Sequence, residues 1–277
     1  EFAFWRDEFS GVILPDTLTS IGVQAFGNCQ NLTEVEFPAS LTSVGNGAFG
    51  SSGLKEIHIP ETITDFGENI FFSCVDLETA ELPDNMTVIP NGIFQKCHSL
   101  KHIDLPEHTT VIGEEAFGGC WGLENIVIPE SVTTLGLCCF SSCIGLEEVT
   151  IPESVTEIGD SIFMNCTSLK RVNFSGNVKD ISFGMFAFSG IEEITFSETV
   201  ESVSCSLTWC RNLKSVTFLN PDCEIFDNQM SIFNEYNGKD ETYHFGGIIY
   251  GYEGSTAQNY AQKYGYEFRN IGETFVS

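Results

Sequence analysis

Apolar and polar positions follow one repeating pattern along most of this chain. Phe recurs at positions 4, 26, 49, 71, 94, 117, 140, 163 and 186, at intervals of 22 or 23 residues. Cys follows three places later at 29, 74, 97, 120, 143 and 166, and Leu three places after that, as in Phe117-Gly-Gly-Cys120-Trp-Gly-Leu123. Cys210 and Leu213 continue the register, with Leu207 in the Phe slot. Two coils drop one residue and carry Ser52 or Ser189 in the Cys slot. One full period reads Leu146-Glu-Glu-Val149-Thr-Ile151-Pro152-Glu-Ser-Val155-Thr-Glu-Ile158-Gly159-Asp-Ser-Ile162-Phe163-Met-Asn-Cys166. The L-x-x-V-x-I-P segment alternates apolar and polar residues and is β-branched, which predicts a short strand. Pro152 lacks an amide hydrogen and ends it. Val155, Ile158, Ile162, Phe163 and Cys166 complete an inward set, and Gly159 is expected to supply a tight bend or a positive φ.

About eight inward residues per coil make no core alone, but stacked coils share a continuous one. The register places strands at Val12–Leu14, Val35–Phe37, Ile57–Ile59, Ala80–Leu82, Ile103–Leu105, Ile126–Ile128, Val149–Ile151, Val172–Phe174, Ile194–Phe196 and Val216–Phe218. Such rungs, spaced by about 4.8 Å, form a parallel sheet roughly 45–50 Å long. The consensus L-x-x-I-x-I-P-x-x-[VL]-T-x-I-G-x-x-A-F-x-x-C resembles the BspA-like (treponemal-type) leucine-rich-repeat family of bacterial surface proteins. The likeness spans residues 3 to about 219. It implies a right-handed repeat solenoid with its parallel sheet on the concave face, secretion or surface attachment, and an adhesive role. It implies no single ligand.

Residues 1–219 are therefore expected to form the solenoid and 220–277 a small α/β cap. Asn220-Pro221-Asp222 signals a turn. Cys223–Phe226 and Ile248–Tyr252 suit two further strands, with a loop or hairpin tip at Asn237-Gly238 between them. Ser255 and Gln258 fit a capping box, and Ala257, Tyr260, Ala261 and Tyr264 fall on one helical face before Gly265. A helix here is expected to cover the last coil and the open sheet edge. The tail from Ile249 to Phe268 also resembles the family's closing segment. The first coil begins within three residues of Glu1, so the natural chain is expected to continue upstream.

The chain has 277 residues with 12 Lys+Arg against 39 Asp+Glu, a formal net charge of −27. So acidic a surface repels nucleic acid and anionic membranes. No apolar run is long enough to span a bilayer. The start of the chain carries no export signal, so the extracellular or cell-surface location rests on the resemblance alone. The 24 Phe and 11 Cys follow from the repeat. Seven Cys share one slot, which admits buried thiols, inter-rung disulfides or a metal array. Ser52 and Ser189 in that slot favour a small buried side chain without obligatory chemistry. Cys138, Cys139 and Cys143 resemble a metal cluster on paper, but Cys139 occupies an inward slot and no His accompanies them.

No phosphate loop, H-E-x-x-H or G-x-S-x-G motif is present, so no enzyme, metal or cofactor is expected. The carboxylates instead form two rows. One follows the strand-ending turns: Asp16, Glu61, Asp84, Glu107, Glu130, Glu153 and Glu198. It is read as a solvated turn, because a line of carboxylates is not a calcium cage. The other is the outward face of the strands. Its candidate binding residues are Glu34, Glu36, Glu56, His58, Glu81, His102, Asp104, Asn125, Glu148, Arg171, Asn173 and Glu193. These vary from rung to rung while the inward positions hardly change, as on the binding face of a repeat protein. The expected partner is a protein, basic or from a host extracellular matrix. A carbohydrate ligand and a spacer role are the alternatives. The chain is expected to be monomeric.

Overall fold

The computed structural model describes residues 2–176, 178–239 and 241–272. It is a parallel-strand solenoid of about 11 turns with one short helix near its C-terminal end. The first row of strands comprises Gly11–Val12, Glu34–Val35, Glu56–His58, Thr79–Glu81, Glu148–Ile151, Arg171–Phe174, Glu193–Phe196 and Ser215–Phe218. Each begins earlier than the inward Val, Ile or Ala, at the polar residue before it. Pairing is parallel and one period apart, as in Glu148↔Arg171 and Ile151↔Phe174.

Two expected rungs differ. Ile103–Leu105 contributes only a bridge from Thr79 to His102, and Ile126–Ile128 forms no strand among the described residues. Ile103, Ile126 and Ile128 are nevertheless buried. Their burial follows from stacking and does not need a regular ladder. The backbone bonds beside them are long, 3.3 Å from Glu124 to Lys101 and 3.4 Å from Glu147 to Glu124. The coils are therefore held loosely along this edge.

A second row of parallel strands, not expected from the sequence, runs along the T-x-I segments: Ser20–Ile21, Ser43–Val44 and Asp65–Phe66, then Val88–Ile89, Val111–Ile112, Thr134–Leu135 and Glu157–Ile158, then Asp180–Ile181, Ser202–Val203 and Glu224–Ile225. It is unbroken across the coils where the first row lapses. The consensus Gly that follows takes no positive φ at Gly159. Its role is close approach. A Cβ on Gly136 would lie 2.6 Å from the Glu114 backbone nitrogen and 2.7 Å from the Gly113 carbonyl carbon. Gly136→Ala must therefore push two coils apart, and should cost about 1–3 kcal/mol in equilibrium unfolding. A variant as stable as the parent would show that the coils yield freely here.

The positive φ values instead flank the Phe. Gln24, Asn69, Glu115, Cys138 and Ser161 lie two residues before it, and Asn28, Ser73, Lys96, Ser142 and Asn165 two after, with φ between 49° and 61°. These two left-handed residues turn the chain around the phenyl ring. The ring stacks on its neighbours from Phe4 to Phe186 with centroids 5.1–6.1 Å apart. The Phe amide donates to the next coil's backbone, as from Phe117 to the Cys139 carbonyl at 2.9 Å.

At the C-terminal end the 23-residue register lapses while the stacking continues. Ile248–Gly251 pairs with Ser215–Phe218, and Glu267–Asn270 pairs with Ile248–Gly251. The segment between holds an antiparallel hairpin, Glu235–Asn237 with Thr242–His244. The helix Thr256–Tyr264 is the crossover between the last two strands, not a lid over the sheet edge. It buries Ala257, Tyr260 and Ala261 against the end of the core. Ser255 Oγ accepts from the Gln258 amide at 3.2 Å, and Gly265 closes the helix at φ 73°. Gln258 Oε1 accepts from the Gly254 amide at 2.7 Å, one residue before the usual box partner. The Tyr260 and Tyr266 hydroxyls donate to the carbonyls of Asn228 and Gln229. The Tyr264 hydroxyl donates to Asp227 at 2.9 Å. All three tyrosines are thereby held in packing roles.

Candidate binding face

Strand alternation turns one residue in two outward, and all twelve expected binding residues are exposed. They lie in two zones. In the first, Glu34, Glu36, Glu56, His58 and Glu81 line a long shallow groove together with Val12, Ile13 and Phe37. A second groove follows from Glu81 over His102 and Asp104. His58 Nδ1 lies 2.7 Å from Glu81 Oε2, and His102 Nε2 lies 3.0 Å from Asp104 Oδ1. His102 Nδ1 is also 3.3 Å from Asn125 Oδ1. Among the described residues no Lys or Arg forms an ion pair with Glu34, Glu36, Glu56, Glu81 or Asp104. Carboxylates on successive rungs, about 5 Å apart, repel one another and attract a cationic partner.

The second zone is partly matched. Arg171 lies 3.7 Å from Glu148, and Asn173 donates to Glu148 at 3.0 Å. Lys170 meets Glu147 at 3.5 Å, and Lys214 meets Glu192. Lys170, Arg171, Asn173 and Glu192 line a third groove together with Glu193. The ion pairs are exposed, and each is worth little to stability. Between the zones the face is uncharged at Asn125 and Val127, the latter 76% exposed.

Sequence reasoning passed over Lys170, Lys214, Glu147 and Glu192. Their signal is the residue after each Leu, which alternates in charge as Lys55, Glu78, Lys101, Glu124 before these pairs. The candidate residues named from the sequence end at Glu193. The final strands extend the face with Tyr250 and Arg269, paired in register with Thr217.

The turn row does other work. Glu61 accepts from the backbone amides of Asp84 and Asn85 at 2.6 and 3.3 Å, so it ties one coil to the next. Among the described residues no group of three or more His, Cys, Asp or Glu is placed to hold a metal ion.

All eleven Cys are free thiols. The ladder Cys are more than small fillers. Each donates its thiol to the carbonyl of the preceding coil's Phe, at 3.0–3.2 Å for Cys29, Cys74, Cys97, Cys120, Cys143, Cys166 and Cys210. Phe94 shows the geometry. Its carbonyl accepts from the Cys97 amide at 3.0 Å and from the Cys120 thiol at 3.2 Å, filling both lone pairs. Burial pushes the Cys120 and Cys166 thiols up to about 12, which keeps them protonated as donors.

The family model "BspA type Leucine rich repeat region" matches residues 1–121 and 110–235 in six copies. A leucine-rich repeat protein of Bacteroides ovatus is 26% identical with a TM-score of 0.62, over 93% of this chain and 76% of that one. The pneumococcal vaccine antigen PcpA shares the fold at 18% identity and a TM-score of 0.55, over 94% of this chain and 67% of that one. A leucine-rich cell surface protein of Faecalibacterium prausnitzii is 22% identical at a TM-score of 0.48, over 85% of each chain. No curated protein matches the chain.

Proposed function

The chain belongs to the BspA-type leucine-rich-repeat family, and we propose that it is a non-catalytic binding module of a secreted or surface-attached bacterial protein. Its partner is a basic protein, such as one of a host extracellular matrix, held on the outward face of the first strand row. The surface location draws on the family. The observation that carries the reading is the run of carboxylates at Glu34, Glu36, Glu56, Glu81 and Asp104, exposed on successive coils without a Lys or Arg partner. A solvated face needs no such run, and in the second zone Glu148 has Arg171 beside it. Long-range attraction of this kind speeds encounter and selects against acidic partners.

Replacing Glu34, Glu36, Glu56 and Glu81 together by Lys reverses the sign of the first zone. Against a panel of purified basic and acidic matrix proteins, the parent should bind basic members with an affinity that falls as salt rises. The variant should lose about tenfold or more of that affinity and most of its salt dependence. Unchanged affinity in a folded variant would remove the strand face as the site. It would favour the spacer reading, to which the rigid phenyl ladder lends support.

A further inference from the structure

One stretch departs from the repeat. The second left-handed position of each coil carries Asn28, Ser51, Ser73, Lys96, Gly119, Ser142 and Asn165 in turn, residues that suit a turn or reach solvent. The next two coils carry Phe188 at φ 60° and Trp209 at φ 58°. A bulky aromatic in this region is an outlier, because its Cβ crowds the backbone. Trp209 has compensation, packing edge-on at 5.2 Å against the fully buried Phe233. Phe188 has little, since it remains 48% exposed. Backbone strain kept at an exposed site points to function and not to folding.

The surroundings add a second observation. Phe188 and Trp209 stack at 6.1 Å and 11°, and Tyr236 of the hairpin, 42% exposed, lies 5.9 Å from Trp209. The Arg211 guanidinium sits 5.7 Å from the Trp209 ring. In a chain of net charge −27, Arg211 forms no ion pair among the described residues. Trp, Tyr and Arg are the residues that dominate protein interfaces.

We propose that Phe188, Trp209, Tyr236 and Arg211 form a second binding surface, apart from the strand face, that takes a protein segment presenting an apolar side chain beside a carboxylate. The apolar group packs on the edges of the stacked rings, and the carboxylate pairs with Arg211. Ring geometry favours protein over sugar. A pyranose needs an open aromatic face, whereas Phe188 and Trp209 each turn one face to the other and Trp209 is further flanked by Phe233, Tyr236 and Arg211. The charge preference is opposite to that of the strand face, so the two surfaces select different partners.

The test is selection of a random dodecapeptide phage library on the parent protein, followed by affinity measurement with the synthetic peptides recovered. The expected peptides carry Leu or an aromatic residue next to Asp or Glu. Their affinity should fall about tenfold or more in Phe188→Asn and in Arg211→Gln. It should stay unchanged in the fourfold Lys variant of the strand face. Phe188→Asn should keep or raise the melting temperature, because Asn fits the left-handed slot. Arg211 is exposed, so its variant remains a fair test should the other unfold. Failure to enrich such peptides, or equal binding by either variant, would overturn the proposal. So would a glycan array whose hits depend on Phe188 while no peptide binds.

Discussion

Phe117→Ala should lower the unfolding free energy by about 3–5 kcal/mol, the loss typical of a large core side chain with little chance of collapse. Phe117 is fully buried between Phe94 at 5.9 Å and Phe140 at 5.6 Å. Removing it deletes two ring contacts and leaves a gap that only a shift of whole coils could close. Such a shift is opposed on both sides. The Phe117 carbonyl accepts the Cys143 thiol of the next coil at 3.2 Å, and on the other side the Ala116 carbonyl accepts from the Phe94 amide at 2.9 Å while the Cys120 thiol donates to the Phe94 carbonyl at 3.2 Å. Phe4→Ala at the first coil is the comparison. Phe4 is 44% exposed, with Phe26 stacked on one side and Phe9 edge-on. Its loss should cost about 1–1.5 kcal/mol, on the order of half a Phe side chain's burial. Because each coil touches only its neighbours, the central variant should also broaden the denaturant transition as the two halves uncouple. Equal costs at the two positions would mean that the ladder does not act as a continuous core.

How far the sequence foretells this molecule depends on which interaction sets each feature. Phe at a 23-residue interval has one efficient way to bury itself, so the stacked rings at 94, 117, 140 and 163 were legible from spacing alone. The second strand row was not. Its signal, [VL]-T-x-I-G, is two residues of β-branched alternation followed by Gly, too short to tell from a turn by periodicity. Gly159 was read as a conformational need, but the constraint lies in the neighbouring coil. A Cβ there would meet the Leu137 backbone nitrogen at 2.5 Å. Such a clash exists only once the coils are stacked. The lapse of the first strand row at Ile103 and Ile126 has the same character, since the local pattern there matches that of Val149–Ile151. The strand face was legible as a list of outward positions, because alternation fixes which side chains emerge. Its division into an unpaired acidic zone and a partly matched zone depends on partners 22 or 23 residues apart, such as Lys170 with Glu147. That division emerges only when register is known. Phe188 and Trp209 were visible as letters, while their cost lies in a φ value that no composition reveals.

The buried thiols should make the fold collapse steeply in alkali. Burial raises Cys74 to about 11 and Cys120, Cys166 and Cys210 to about 12, from an ordinary value near 9. Cys97 and Cys143 are raised well above it, by burial first and then by the adjacent thiols of the ladder, and burial likewise raises Cys139. Between the unfolded and folded values the unfolded chain releases these protons while the folded chain keeps them. The stability that each thiol contributes is therefore complete below about pH 9. It falls as pH rises toward about 11 to 12, by about 1.4 kcal/mol per pH unit. Seven such thiols together give a slope of about 10 kcal/mol per pH unit. A typical domain has about 5–15 kcal/mol in total, so under reducing conditions unfolding should be complete within about one to two pH units above pH 9. Replacing Cys97, Cys120 and Cys143 by Ser keeps a donor for the carbonyls of Phe71, Phe94 and Phe117 but removes three ionisable groups. Stability measured by urea titration from pH 8.5 to 10 should then fall less steeply with pH, by about 2–3 kcal/mol per unit, since the unfolded thiols are only partly ionised across that range. The buried Tyr260 and Tyr266, also raised by burial, begin to add to the slope only near pH 10, where the unfolded chain starts to ionise them, and they do so equally in parent and variant. A triple variant that loses stability as steeply as its parent would place the alkaline sensitivity outside the ladder. The buried tyrosines Tyr260 and Tyr266, whose hydroxyls burial also pushes up, would then be the groups that supply it.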